Sequence, residues 1–234
     1  MRDLLEPTLH SWGIHLTDAQ YSQCAHYADA LLRWNETTNL TAITDPQGVA
    51  VRHFLDSFAC ARAWTTPPAT LCDIGSGAGF PGLPLKILWP DTEVVLVEST
   101  GKKVAFLDHI VASLGLQNVE TSTSRAELLG QDKRHREYYE AVVARAVAAL
   151  PVLSELCLPL VAMGGRFVAS KSADGAVEAA SARRAIAQLG GRVAAIMPVQ
   201  LPGLDPRTLV VVAKIRPTPA QFPRAVGVPG KRPL

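Results

Sequence analysis

The residues best suited to chemistry sit in one short stretch, Cys72-Asp73-Ile74-Gly75-Ser76-Gly77-Ala78-Gly79-Phe80-Pro81-Gly82. It follows an apolar run, Ala69 to Leu71, and precedes a helix-like stretch, Leu83 to Leu88. A glycine-rich turn between strand and helix lets backbone approach a nucleotide-like ligand closely. The carboxylate of Asp73, just before the first glycine, would repel a pyrophosphate. S-adenosylmethionine has no phosphate and carries a cationic amino group and a sulfonium, so Asp73 suits it better. Some twenty residues on, Val94 to Val97 ends in Glu98, where a second parallel strand places a carboxylate on ribose hydroxyls. Each residue has a plainer alternative. Asp73 caps the turn through backbone N–H groups, Glu98 is a surface acid at a strand end, and Phe80 is core rather than a cofactor wall. Gly75, Gly77 and Gly79 are required for backbone shape under either reading.

Elsewhere, Arg145 carries a planar guanidinium suited to stacking and to bidentate bonds with phosphate or a base edge; its alternative is an ion pair with a nearby acid. In Arg52-His53-Phe54-Leu55-Asp56-Ser57, Arg52 and Asp56 are spaced to pair on one helix face, and His53 and Asp56 can also meet. This block reads as a local brace at least as well as a catalytic group, and its lone histidine is no evidence for a metal. The four cysteines (Cys24, Cys60, Cys72, Cys157) are scattered without a Cys-x-x-Cys pair, which leaves buried free thiols as the reading and no metal site. Cys157 lies in an apolar helix, unlike the thiolate nucleophile of a pyrimidine C5 methyltransferase. After the fourth strand stands Ala144-Arg145-Ala146, not the Asn/Asp-Pro-Pro-Tyr/Phe expected for an exocyclic-amine methyltransferase.

The elements that must position these groups are legible in outline. Thr17 and Gln20 form a capping box, followed by an apolar stripe through Tyr21, Cys24, Ala28 and Leu31. Asp45-Pro46 starts another helix, with Val49, Val51, Phe54, Leu55 and Phe58 inward. After the breaker Thr65-Thr66-Pro67-Pro68, strands are expected at 70–74, 93–98, 119–123, 141–145, 165–170, 192–199 and 208–215. Helices are expected at 83–88, 102–114, 150–162 and 175–189. Such alternation gives a parallel sheet covered on both faces. The short 200–207 loop cannot make a parallel crossover, so the last two strands should be antiparallel. The expected fold class is therefore α/β, a Rossmann-like class I methyltransferase with a seven-stranded sheet. Residues 1–65 are read as a helical extension, 66–215 as the core and 216–234 as a basic, proline-rich tail.

Of the 234 residues, 48% are hydrophobic and 19% charged, which describes a globular chain. No apolar run reaches the roughly 18 residues of a membrane span, and the N-terminus lacks a secretory apolar region. A cytoplasmic monomer is expected. The net charge of +2 does not by itself announce a nucleic-acid binder, but no acid follows Asp205, while Arg207, Lys214, Arg216, Arg224, Lys231 and Arg232 do.

Several separated motifs resemble one family. They are Asn39-Leu40-Thr41, the Arg52–Ser57 block, Asp73 to Pro84, Val97-Glu98-Ser99-Thr100-Gly101-Lys102-Lys103, Ala144-Arg145-Ala146, and the tail from Phe222-Pro223-Arg224 to Leu234. Together they are similar, almost end to end, to the RsmG (GidB) family of bacterial ribosomal RNA methyltransferases. The resemblance implies methyl transfer from S-adenosylmethionine to N7 of one guanosine in the 530 loop of 16S ribosomal RNA, in naked RNA or in the small ribosomal subunit. It further implies that Gly75 and Phe80 line the cofactor, beside Asp73, Gly77, Gly79 and Glu98, which the turn and strand-end chemistry already assigns to it. Ala126 and Glu127 would sit beside the adenine, with Arg145 at the mouth of the site. Basic residues hold the RNA backbone in single-stranded loops, and Lys171, Arg224, Lys231 and Arg232 are the candidates for that contact. The chain departs from the family pattern at Ala169-Ser170-Lys171-Ser172 and at Arg224-Ala225. Guanine N7 is already a lone-pair nucleophile, so no general base is expected, and alignment can supply on the order of 7–11 kcal/mol. The rivals are a methyltransferase for another RNA base, a nicotinamide dehydrogenase reading Gly77 to Gly82 as Gly-x-Gly-x-x-Gly, and a non-catalytic binding module.

Overall fold

The computed structural model describes residues 1–145 and 147–234, so Ala146 of the Ala144-Arg145-Ala146 motif lies outside the described residues. Two helices come first, α1 (Arg2–Ser11) and α2 (Asp18–Asn35). The Thr17 hydroxyl accepts from the Gln20 N–H while the Gln20 side chain accepts from the Thr17 N–H, completing the capping box. Asp45 caps the next helical segment by accepting from Gly48 N–H at 2.6 Å. That segment is not one α-helix. It runs α3 (Pro46–Gly48), a π-helical stretch (Val49–Leu55), α4 (Asp56–Ala59) and a 3₁₀ turn (Cys60–Ala63).

The alternating part follows as β1 (Thr70–Ile74), α5 (Gly82–Leu88), β2 (Glu93–Val97), α6 (Gly101–Ser113), β3 (Val119–Ser122), α7 (Ala126–Leu129), β4 (Tyr139–Arg145), α8 (Leu150–Cys157), β5 (Val161–Lys171), α9 (Gly175–Gln188), β6 (Gly191–Val199), β7 (Arg207–Lys214) and α10 (Val228–Lys231). The strand order is β3-β2-β1-β4-β5-β7-β6. The β5–β7 and β6–β7 pairs are antiparallel and the rest parallel. The helix expected over 150–162 stops at Cys157, because Pro159 cannot continue it and Val161 already pairs with Tyr139.

Central strands of a parallel sheet are buried on both faces and read as nearly continuous apolar runs; Leu71–Ile74 and Ala141–Ala144 do so. One face of the sheet carries a core built with Leu5, Tyr27, Leu31, Phe54, Phe58 and Phe106; the other is covered by Leu129, Leu153, Leu156, Ile186 and Phe222. The four cysteines are free and buried. Strand order reverses between β1 and β4, and a crevice opens beyond the carboxyl ends of strands at such a point. Among the described residues, no helix is long and apolar enough to cross a membrane.

Candidate functional site

The turn after β1 is held from beneath. Asp73 is fully buried, and its Oδ2 accepts from Gly82 N–H at 2.9 Å, at the first turn of α5. Among the described residues, its Oδ1 has no hydrogen-bond partner. Burial pushes the Asp73 carboxyl up to about 7. Gly75 and Ser76 donate backbone N–H to Val97 O, tying the turn to β2. Gly79 has φ +93°, and an added Cβ would meet the Tyr27 hydroxyl at 2.5 Å, so only glycine fits there. The Tyr27 hydroxyl donates to Ala78 O.

Glu98 sits at the end of β2. Its Oε2 accepts from Gly77 N–H at 3.1 Å and its Oε1 from Thr100 N–H at 2.8 Å. A carboxylate has about four acceptor sites; these bonds occupy two and leave two for hydroxyls. Glu98 lines a cavity of about 290 Å³ with Gly75, Gly77, Ala126, Glu127 and Val147. A Cβ on Gly75, itself at φ +70°, would lie 2.6 Å from a Val147 methyl, so a side chain there would close the cavity. Two carboxylates around a glycine turn suit a cationic, phosphate-free ligand carrying vicinal hydroxyls, and the residues present therefore fit S-adenosylmethionine.

Across the β1–β4 gap lies a second cavity, of about 390 Å³, lined by Arg52, His53, Asp56, Arg145, Lys171 and Arg207 among others. Arg145 Nη1 donates to Arg52 O at 2.8 Å and to Asp56 Oδ2 at 3.0 Å, and Nη2 meets His53 Nδ1 at 3.1 Å. Arginine has only donors, so His53 Nδ1 must accept, and its proton sits on Nε2, which donates to Thr41 Oγ1 at 2.9 Å. Burial first, then the Arg145 charge, hold His53 down to about 3, so the ring stays neutral. Thr41 is placed by Asn35, whose Oδ1 accepts from Leu40 and Thr41 N–H groups. Among the described residues, three of the five arginine N–H donors are thus spent and two remain.

Several expected site residues stand elsewhere than the sequence suggested. The Phe80 ring is 3% exposed and does not line the first cavity. It stacks between Tyr27, at 4.9 Å, and His53, at 4.6 Å, with the Arg145 guanidinium 5.4 Å from its centroid. Asp73 lies under the turn rather than in the cavity wall. The Arg52–Asp56 pair does not form; the four-residue spacing aligns them on an α-helix, whereas Arg52 lies in π-helical backbone, and Asp56 turns to Arg145. Lys171 is paired with Glu178 at 2.8 Å and with Ala148 O at 2.7 Å. Arg224 grips the buried Glu155 through Nε at 2.8 Å and Nη2 at 2.5 Å. Lys231 and Arg232 are exposed. The sequence reading did not find Tyr27, Val147 or Glu155. Thr41 belongs to the Asn39-Leu40-Thr41 motif, but its tie to His53 comes from the fold.

Three comparisons fit this geometry. The family model described as rRNA small subunit methyltransferase G matches residues 20–203. A Roseiflexus sp. (strain RS-1) protein named ribosomal RNA small subunit methyltransferase G is 55% identical, covering 99% of either chain. In fold alone, the chain is similar to TrmN from Thermus thermophilus (TM-score 0.54, 19% identity, 71% of this chain), spanning 53% of that protein's length. The same holds for a mutant 16S rRNA (adenine(1408)-N(1))-methyltransferase with cosubstrate SAM from Catenulisporales acidiphilia (TM-score 0.52, 15% identity, 70% of this chain and 93% of that one). The sheet order with its antiparallel last pair is the class I methyltransferase fold, and with a family model and a 55% identical relative both spanning the site, this chain belongs to the small-subunit ribosomal RNA methyltransferase G family.

Proposed function

We propose that this enzyme methylates N7 of a guanosine in the 530 loop of 16S ribosomal RNA, taking the methyl group from S-adenosylmethionine. One observation carries the choice of atom. In the second cavity both His53 nitrogens are engaged, Asp56 is paired with Arg145, and Glu178 is paired with Lys171. Every base described there is committed, so the site suits a nucleophile that has no proton to lose. Guanine N7 is such an atom; an exocyclic amine is not.

When bound, S-adenosylmethionine supplies an electrophilic methyl carbon on a sulfonium. The two open acceptor sites of Glu98 hold the ribose hydroxyls, while Ala126 and Glu127 border the adenine. Asp73 supports the turn and gives it a field that favours a cation. Arg145, locked by Arg52 O, Asp56 and His53, offers its two remaining donors to the guanine edge. Rigid placement of this kind is the main lever for a reaction limited by alignment. Exposed Arg52, Lys231 and Arg232 hold the RNA backbone. The partner is the small ribosomal subunit or its RNA, and the setting is a cytoplasmic monomer.

The test uses 30S subunits from a strain lacking this protein, purified protein and labelled S-adenosylmethionine, with the product mapped by borohydride–aniline cleavage, which reports N7-methylguanosine. A single cleavage in the 530 loop is expected. Label without cleavage would move the reaction to another atom. Absence of label in subunits and naked RNA would remove the ribosomal substrate.

A further inference from the structure

The tail after β7 packs against the back of the first cavity. Phe222 is buried and belongs to the same core cluster as Ala126, Leu129 and Leu156, on the sheet face that carries α7 and α8. Arg136 donates to Gly130 O and Phe222 O from Nη1 and to Thr218 O and Pro219 O from Nη2. Gln131 donates to Pro223 O at 2.8 Å. Pro223 lies so close that a Cβ on Gly130 would be 2.8 Å from it. Arg224 binds Glu155 of α8 with side chain and backbone, and its Nη2 also reaches Arg232 O, which closes the segment into a loop. Finally, Gly227 N–H donates to Glu127 Oε1 at 2.9 Å. Glu127 is a wall residue of the cavity, and Leu156 of α8 is another.

We propose that the C-terminal tail is a strap that sets the cofactor cavity, with Gly227 and Arg224 as positioning residues acting through Glu127 and Glu155. α7 has only four residues, too few to hold a helical conformation on its own. The tail holds its first turn at Glu127 and the loop after it at Gly130, Gln131 and Arg136. The acceptor that the tail reaches on the cavity wall is a carboxylate, and a hydrogen bond to a carboxylate is among the stronger ones. Arg224, expected from the sequence as an RNA contact, is instead the clasp of this strap, whereas Lys231 and Arg232 point no charge into the cavity and stay available to RNA.

The inference rests on the reading of that cavity as the S-adenosylmethionine site. Its test is calorimetric titration of the full chain with S-adenosylmethionine beside a chain ending at Val226. This deletion keeps Phe222 and the Arg224–Glu155 clasp but removes the donor to Glu127. A second variant inserts two glycines between Ala225 and Val226, keeping every residue while loosening the strap. Both should weaken cofactor binding about ten-fold, the worth of one charge-assisted hydrogen bond, and both should speed hydrogen exchange at the amides of Leu128 to Gly130. In a Glu127→Ala background the deletion should add nothing. Replacing Lys231 and Arg232 by serine, with the tail intact, should leave cofactor affinity unchanged and flatten the salt dependence of RNA binding. Wild-type affinity in the deletion and insertion variants would overturn the strap, as would an equal loss with or without Glu127. If the full chain itself does not bind S-adenosylmethionine, the cofactor reading falls and takes the strap with it.

Discussion

The two cavities on either side of the β1–β4 gap are built by different means. The first is made of backbone: turn amides held by Val97 O and by the carboxylates of Asp73 and Glu98. The turn and both carboxylates lie between Asp73 and Glu98, while Ala126, Glu127 and Val147 complete the wall. The second is made of side chains, with Arg145 at the end of β4 pinned by Arg52 O, His53 and Asp56 from some ninety residues earlier, and His53 set by Thr41 in turn. A backbone turn tolerates few residue types, and the groups that hold it lie near it in sequence; only the far wall at Glu127 is held from a distance, by Gly227. A side-chain site is adjustable and fails when one member is removed. Phe80 joins the two: its backbone belongs to the turn and its ring carries His53 and Arg145.

The contrast breaks most visibly at Arg145. In Arg145→Ala, Asp56, at 2% exposure, loses its ion-pair partner. Removing one member of a buried pair costs about 3–5 kcal/mol. Urea unfolding should show a loss of that size, with most of it recovered in the Arg145→Ala, Asp56→Ala double variant. A loss under about 1 kcal/mol would mean the second cavity does not depend on its ion pair.

Asp73→Asn probes the backbone site. The Asp73 carboxyl is raised to about 7 in the folded chain from an ordinary value of 3.8. Between those values the unfolded chain has released the proton and the folded chain has kept it, so stability falls as pH rises from about 4 to about 7. Some three pH units at about 1.4 kcal/mol each give a ceiling of about 4 kcal/mol. The wild type should lose stability across this window relative to Asp73→Asn, which carries no such titration, while the variant binds S-adenosylmethionine more weakly. Parallel stability curves would show that the buried carboxylate is not strained by its site.

The sequence made the backbone site readable because its signals are local. A glycine run, an acid before it and an acid at the next strand end follow from strand–turn–helix chemistry, and the seven strands fall within a few residues of expectation. What was missed is long-range or irregular. α1 contains Pro7, which hides it. The π-helical stretch has no propensity signal, so the Arg52–Asp56 spacing misled. Phe80 is surrounded by Tyr27, His53 and Phe54, and nothing near it in the chain says so. Every lysine and arginine looks free in a sequence; Lys171 and Arg224 prove paired only once α9 and α8 bring Glu178 and Glu155 to them.

Glu98→Gln sharpens the comparison further. Glutamine has one acceptor oxygen where the carboxylate serves two N–H groups, so the amide must face either Gly77 or Thr100 donor to donor. Loss of a hydrogen bond to a charged group corresponds to about 1.5–3 kcal/mol. Calorimetry should show cofactor affinity reduced by that amount while Arg145, across the gap, is undisturbed. A variant with native affinity would remove Glu98 from the ribose and leave it only as a staple of the turn.

The smallest effect, and the one that changes sign, is expected at His53→Gln. At pH 7.5 the variant loses a ring stacked on Phe80 and part of a hydrogen-bonded chain, a cost of about 1 kcal/mol. His53 in the folded chain is depressed to about 3, against 6.5 when free. Below 6.5 the unfolded chain therefore binds a proton that the folded chain refuses, and the wild type loses stability as pH falls toward 3. At pH 5 that loss is already about 2 kcal/mol, which glutamine does not share. The variant should thus be less stable than the wild type at pH 7.5 and more stable at pH 5, with the unfolding curves crossing near pH 6. A difference independent of pH would mean that His53 accepts a proton in the folded chain. Its Nδ1 would then no longer receive Arg145, and the side-chain site would have to be held together in some other way than by a neutral histidine.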